Sequence, residues 1–480
     1  MSRPIRRIAA VLALMLVALL VNITVIQVVL AGDYRDRPGN QRVLLDEYGR
    51  ERGPILVGPN PVARSKETGD TLKYLRVYSD GPLYAPVTGF YSLVYGATGL
   101  ERTENRILTG RSSLFVVDRA EQLFAGREPV GGAVSTTLNA LAQKAAFNGL
   151  KGKKGAVVAI EPATGRILAS VQFPSFDPNL LSSHDPAQIR EYYASLEADP
   201  AKPLLNRPIV SLNPPGSTFK LVTAAAALAS GRFTPDSVLP GPRTYQLPLS
   251  TKKLRNWNGQ ACSPDGLVTL REALAVSCNT AFAWLGNELG ADALRRQSEL
   301  MGFDTAFRIP LRAATSVFPE DPDAAQVAMS AIGQFDVRAT ALQMAMVGAA
   351  IGNGGRTMTP YLVQEVRGPD LAIVQTTDPV TFEDAMTPLH AAQLTEMMVN
   401  VVENGTGSNA QISGVRVAGK TGTAQTGNDN PSVAWFVAFA PAQAPTVAVA
   451  VVVEDAGAPE VSGNQLAAPI AKAVIEAVLR

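Results

Sequence analysis

Between Ile8 and Leu30 the chain runs for 23 residues broken only by Asn22, Thr24 and Gln27, directly after Arg3, Arg6 and Arg7. No other feature restricts the fold as much. In hydrocarbon every backbone N–H and C=O must be satisfied inside the segment, which leaves an α-helix for a single run of this kind. At 1.5 Å per residue that helix is about 35 Å long, enough to cross a bilayer. The basic flank is expected to stay cytoplasmic, which places everything after about residue 31 outside the cell. A signal peptide cleaved after Val29-Leu30-Ala31 is the rival, but its apolar core normally spans only ~7–15 residues. We therefore read residues 1–31 as a cytoplasmic tip and a single-pass, uncleaved anchor in the cell membrane.

The remainder is globular in composition: of 480 residues 46% are apolar and 18% charged, room for two or three domains. A formal net charge of +1, with no dense basic stretch interleaved with aromatics, points away from nucleic acid. The two cysteines, Cys262 and Cys278, fall in the outer, oxidising space, where a disulfide between them is allowed and expected. The pair would tie the polar loop "NWNGQACSPDG" to the helical stretch that follows. A zinc site from these two cysteines with His184 and His390 lacks paired ligand spacing, so neither metal nor cofactor is expected.

Residues 32–150 are rich in turns and charge, with short strand-like pieces such as "RVLLDEYG" and "GFYSLVYG". From 155 to 174 two strands flank a Pro-Ala-Thr-Gly turn and predict an antiparallel hairpin. Helical periodicity follows over 218–230, 270–289, 340–355 and 388–402. The chain then returns to strands at "VRVAGKTGTAQ", "VAWFVAFAP" and "TVAVAVVVEDAG" before a terminal helix from about 464. Strands early and late with helices between predict an α+β unit: one antiparallel sheet built from both ends of 151–480, with a helical insert.

Into this pattern is set "NPPGSTFKLVTAAAALAS". The prolines and glycine end a loop, and Ser217 and Lys220, three apart, share one face at the start of a helix. Ser-x-x-Lys by itself means little; Ser250-Thr-Lys-Lys253 is a second match. Ser-x-Asn is as common, at Ser211-Leu-Asn213, Ser462-Gly-Asn464 and Ser277-Cys-Asn279, whereas Lys-Thr-Gly occurs once, at Lys420-Thr421-Gly422. Order and context carry the information. Ser217 opens a helix, Ser277 lies 60 residues on in a helical region, and Lys420 lies 143 further at a strand. A serine nucleophile needs a base, and lysine is ordinarily protonated. A helix N-terminus, burial under "FKLVTAAAAL" and a second cation at Lys420 would each disfavour the ammonium of Lys220. A histidine-based triad would need one of two remote histidines and has no nucleophile elbow.

With those three motifs in order, the sequence resembles the penicillin-binding serine transpeptidases. The likeness extends through "GAVVAIEPATGRILASVQFPSFDPN", "TLREALAVSCNTAFAWLGNELG", "MSAIGQFDVRATALQMAMVGAAIGNGG" and "GKTGTAQ", across roughly 150–480. "ERGPIL" is similar to the arginine-glycine motif in the non-catalytic domain of class B members. The resemblance implies a serine β-lactamase-like domain at 151–480, with a five-stranded antiparallel sheet flanked by helices, above a non-catalytic pedestal at 32–150. It implies Ser217 as nucleophile, Lys220 as its base, Ser277 as proton relay, and Asn279 as a holder of the substrate's amide backbone. Lys420 would supply positive potential, Thr421 and Thr423 would bind the substrate carboxylate, and Gly422 would leave room for it. The backbone N–H groups of Ser217 and Thr423 would form the oxyanion hole. Cys278 stands where Asp or Ser is more familiar, without removing a catalytic group.

The activity so implied is D,D-transpeptidation of peptidoglycan stems ending in D-Ala-D-Ala, blocked by β-lactam antibiotics. A polytopic glycan polymerase is the implied membrane partner, since 32–150 is too short to be a polymerase. The alternatives are a D,D-carboxypeptidase, a β-lactamase or a non-catalytic β-lactam sensor. Against the β-lactamase, no Glu-x-x-Leu-Asn lies between Ser277 and Lys420. Against the sensor, both Ser217 and Lys220 are present.

Overall fold

A computed structural model describes residues 3–30, 34, 48–116, 130–424, 432–456 and 463–480. The apolar run forms helix α1 (Arg3–Thr24), continued by a π-helical turn, Val25–Val29. Pro4–Val29, 26 residues, is long and apolar enough to cross a membrane, and none of it is buried against the rest of the chain. An apolar surface this size in water is costly; a lipid environment removes the cost.

The first sheet is assembled from β1 (Ile55–Val57), β2 (Asn60–Glu67), β3 (Tyr74–Tyr78) and β4 (Ala133–Thr136). The strand-like piece "GFYSLVYG" forms only a two-residue ribbon, Tyr91–Ser92 against Gly96–Ala97. Residues 42–47 of "RVLLDEYG" lie outside the described residues. Helix α2 (Ala140–Leu150) then leads into the predicted hairpin, β5 (Gly155–Ile160) and β6 (Ile167–Phe173), which pair antiparallel. The helical insert carries α3 (Lys220–Ala229), α4 (Leu270–Ala275), α5 (Asn279–Leu289) and α6 (Ala341–Gly352). A second hairpin, β7 (Val363–Arg367) and β8 (Ile373–Thr376), leaves the insert and adds to the first sheet, whose order is β8-β7-β4-β1-β2-β3. Its β1–β4 pair is parallel. Nothing local in 363–376 announces that destination.

Helix α7 (Pro388–Glu403) precedes β9 (Ala418–Ala424), β10 (Val433–Ala440) and β11 (Val447–Val453), and α8 (Ala468–Leu479) closes the chain. The second sheet has the order β9-β10-β11-β5-β6, antiparallel throughout. This is the five-stranded sheet built from both ends of the unit. Antiparallel strands usually alternate apolar and polar because one face meets water. Every residue of β10 and β11 is instead buried, so "VAWFVAFA" and "VAVAVVV" read as continuous apolar runs. The reason is cover on both faces: α2 and α8 on one, α6 with α7 on the other. The outer edge of β9 meets the turn that carries Ser217, and there the three motifs converge.

Candidate active site

Ser217 sits on a 3-10 turn, Gly216–Phe219, that feeds directly into α3, so it precedes the α-helix rather than opening it. The turn is pressed against β9. Gly216 has φ +52°, a left-handed conformation natural to glycine, and a Cβ there would lie 2.7 Å from the Thr423 carbonyl oxygen. Gly422 is needed for the same approach, since its Cβ would stand 2.9 Å from both Pro215 O and Thr218 Cγ2. The backing is rigid: Gly216 N donates to Gly333 O at 2.9 Å, and the buried Trp435 donates Nε1–H to Pro214 O at 3.0 Å. The Ser217 side chain is half-buried, whereas Pro214, Pro215, Gly216, Thr218, Phe219 and Lys220 around it are buried.

Periodicity predicts one helix over 270–289; the structure breaks it. Helix α4 stops at Ala275, Ser277 takes φ +58°, and α5 begins at Asn279. A left-handed serine costs energy that a continuous helix would avoid. What holds the break is the disulfide Cys262–Cys278, with Cα atoms 5.9 Å apart, together with Asn256. The N-cap of α5 is Cys278, which offers no capping hydrogen bond. Asn256, 5% exposed, supplies it from outside: its Oδ1 accepts from Asn279 N at 3.0 Å and Thr280 N at 3.1 Å. Its Nδ2 is anchored on Pro242 O and Gln260 O. The break turns Ser277 and Asn279 toward Lys220.

Lys220 Nζ lies 2.8 Å from Ser277 O, 2.8 Å from Asn279 Oδ1 and 3.3 Å from Ser277 Oγ. The direct bond to Ser217 that a serine–lysine pair implies is not made; the buried ammonium takes these three acceptors instead. Lys420 Nζ reaches the same Ser277 hydroxyl at 2.9 Å and the Thr421 carbonyl at 2.9 Å. Both lysines are completely buried. Among the described residues neither meets a carboxylate. Burial first, and the charge of Lys420 second, hold the Lys220 ammonium well below the usual lysine range. Burial brings Lys420 down to about 7. The Ser277 hydroxyl therefore bridges Lys220, which resists protonation, and Lys420, which holds its proton weakly, a wire along which a proton can move.

Six of the eight predicted catalytic and substrate-binding residues, Lys220, Ser277, Asn279, Lys420, Thr421 and Gly422, are thus in contact with one another or with the turn of Ser217. Thr423 faces that turn through its carbonyl. In an antiparallel strand one residue's N–H and C=O point to the same edge, so the Thr423 N–H also faces the serine. Sequence reasoning missed Asn256, concealed in a polar loop, and Glu454, whose Oε1 accepts from Ser211 Oγ at 2.6 Å and Asn213 Nδ2 at 3.2 Å. Glu454 fixes the segment leading to Ser217, and its only signal is a carboxylate at the end of a wholly apolar strand.

A family profile described as the penicillin-binding protein transpeptidase domain matches residues 155–476. A second, the penicillin-binding protein A dimerisation domain, matches residues 52–134. Peptidoglycan D,D-transpeptidase PbpA of Mycolicibacterium smegmatis is 48% identical over 490 residues, spanning 100% of this chain and 99% of that one. The protein of the same name from Mycobacterium tuberculosis is 48% identical over 491 residues, with the same coverage. Among solved structures, the ceftriaxone acyl-enzyme complex of penicillin-binding protein A from M. tuberculosis superposes with TM-score 0.89 at 47% identity. It covers 91% of this chain and 100% of its own.

Proposed function

The chain belongs to the penicillin-binding protein transpeptidases, and from that membership we propose how its residues carry out peptidoglycan D,D-transpeptidation. Ser217 Oγ attacks the carbonyl carbon of the penultimate D-alanine of a stem, and neutral Lys220 receives the hydroxyl proton. The developing oxyanion is met by the N–H groups of Ser217 and Thr423. As the C–N bond breaks, the proton passes through the Ser277 hydroxyl to the departing D-alanine amine. Asn279 holds the stem's amide, Lys420 contributes positive potential, and Thr421 and Thr423 take the terminal carboxylate. A neighbouring stem's amine then attacks the acyl ester, forms the crosslink and returns a proton to Ser217. A β-lactam enters by the same first step, but its leaving group stays tethered and obstructs the amine.

One observation carries this reading: the Ser277 hydroxyl stands between two buried lysines with no carboxylate beside them among the described residues. Such a pair is unfavourable for stability and useful as a base with a relay. Labelled penicillin on the full chain tests it. Ser217→Ala should abolish covalent labelling and Ser250→Ala should leave it intact, by peptide mapping of the modified residue. Label that survives the first change would end the mechanism.

We also divide the chain into an anchor at 1–31, a pedestal at 32–150 and the enzyme at 151–480, with the hairpin 363–376 lent to the pedestal's sheet. The enzyme then faces the outside of the cell. It crosslinks glycan it does not make, which calls for a polytopic glycan polymerase in the same membrane, contacted through the anchor and pedestal. Full rescue of a deletion strain by a chain lacking 1–31 would refute that partnership.

A further inference from the structure

We infer that Thr406 sets the Thr421 hydroxyl for the substrate's terminal carboxylate, and so is a positioning residue for the preference for a free acid; this rests on the assignment of Thr421 above. Thr406 lies just beyond α7, in "NGTG". Its Oγ1 is 2.7 Å from Thr421 Oγ1, much closer than the 3.4 Å between that oxygen and Lys420 Nζ. Thr421 is 7% exposed and Thr406 is half-buried.

The loop is placed without help from this hydroxyl. Thr406 N donates to Ala275 O at 3.1 Å, two residues before Ser277, and Gly407 N donates to Val401 O at 2.9 Å. Gly405 permits the approach, for a Cβ there would stand 2.4 Å from Ala275 O. Backbone alone therefore fixes this loop against α7 and α4. The Thr406 hydroxyl makes no other hydrogen bond among the described residues, which leaves it for Thr421.

A threonine hydroxyl has one proton and two lone pairs. In the pair as it stands either oxygen can donate. When Thr421 gives its proton to a carboxylate, it can only accept from its neighbour, so Thr406 turns to donate. The result is a directed chain, Thr406 to Thr421 to carboxylate, in which each bond polarises the next. Without Thr406, Thr421 meets the anion with a weaker, less fixed donor. A ligand without negative charge gains little from the chain.

The test compares acylation by benzylpenicillin and by its methyl ester on the detergent-solubilised full chain. The unaltered protein should react faster with the acid. Thr406→Val, which keeps every backbone bond, should slow the acid by up to about tenfold, the upper range for loss of one hydrogen bond between neutral groups, and leave the ester within about twofold. Thr406→Ser should restore the acid rate. If valine is not accommodated, as judged by a thermal melt, Thr406→Ala makes the same comparison. Equal slowing of acid and ester, or slowing of neither, overturns the inference while leaving the assignment of Thr421 standing. An unaltered protein that does not distinguish acid from ester overturns both.

Discussion

Beside the first sheet, on the short helix Gly99–Thr103, Glu101 is completely buried and receives Arg52 Nε at 2.6 Å and Arg76 Nε at 2.7 Å, with the Tyr78 hydroxyl at 3.2 Å. Beside the edge of the second sheet Lys220 and Lys420, equally buried, share the Ser277 hydroxyl and meet no opposing charge among the described residues. The first cluster joins segments far apart in sequence by pairing opposite charges: Arg76 Nη1 also donates to Gly53 O at 2.9 Å and Arg52 Nη1 to Asn105 Oδ1 at 2.6 Å. Burial alone would raise the Glu101 carboxyl, yet the charges and hydrogen bonds of Arg76 and Arg52 outweigh it and keep it below its ordinary value. In the second cluster nothing offsets burial, and both lysines are pushed toward neutrality. Opposite charges out of water lock a structure; like charges out of water make a base.

If that contrast is right, the two clusters should fail in different ways. Lys220→Met removes the base and replaces a buried amine that resists protonation with an apolar side chain. Acylation by penicillin should fall by about 10²–10⁴, the range for a general base, with no loss in urea stability. Glu101→Gln keeps the shape but leaves two buried guanidinium groups without a counter-charge. It should cost about 3–5 kcal/mol in urea, while the molecules that remain folded acylate at the unaltered rate. A Lys220→Met chain destabilised as much as Glu101→Gln, or a folded Glu101→Gln chain that acylates slowly, would break the contrast.

Titration should separate the clusters more gently. The folded state releases the Lys420 proton near 7, whereas an unfolded lysine holds it to about 10.4. Between those values the unfolded chain binds more protons, so stability should rise with pH across that window. For Glu101 the sign is the same but the window is acidic: its contribution is complete above the unfolded carboxyl value of about 4.3 and is lost as pH falls through the lower, folded value. Urea midpoints against pH should therefore climb above 7 in the unaltered chain and climb less in Lys420→Met, where only the buried Lys220 still contributes. Glu101→Gln should erase part of the acid-side loss instead. An unchanged climb in Lys420→Met would remove the like-charge account.

The apolar span of 8–30, the hairpin of 155–174, the strands of 418–453 and the order of Ser217, Ser277 and Lys420 are all legible from the sequence, because each rests on a period, a turn or a local motif. The small residues at the nucleophile are legible as loop signals, though their reason is not: Gly216 and Gly422 are glycines because two segments about 200 residues apart in sequence nearly touch. Periodicity misreads 270–289 as one helix, since nothing within those residues reports that Asn256 and Cys262 hold the chain open at Ser277. It is equally silent on the hairpin 363–376 joining the first sheet and on Glu454 fixing the approach to Ser217. What the sequence determines by itself is which groups are available and the local backbone that bears them. Whether two lysines 200 positions apart share one hydroxyl, and whether burial strips them of their protons, only tertiary structure decides. The physical reason is that desolvation and charge–charge repulsion act through space over a few ångströms, a distance the order of residues along the chain does not encode.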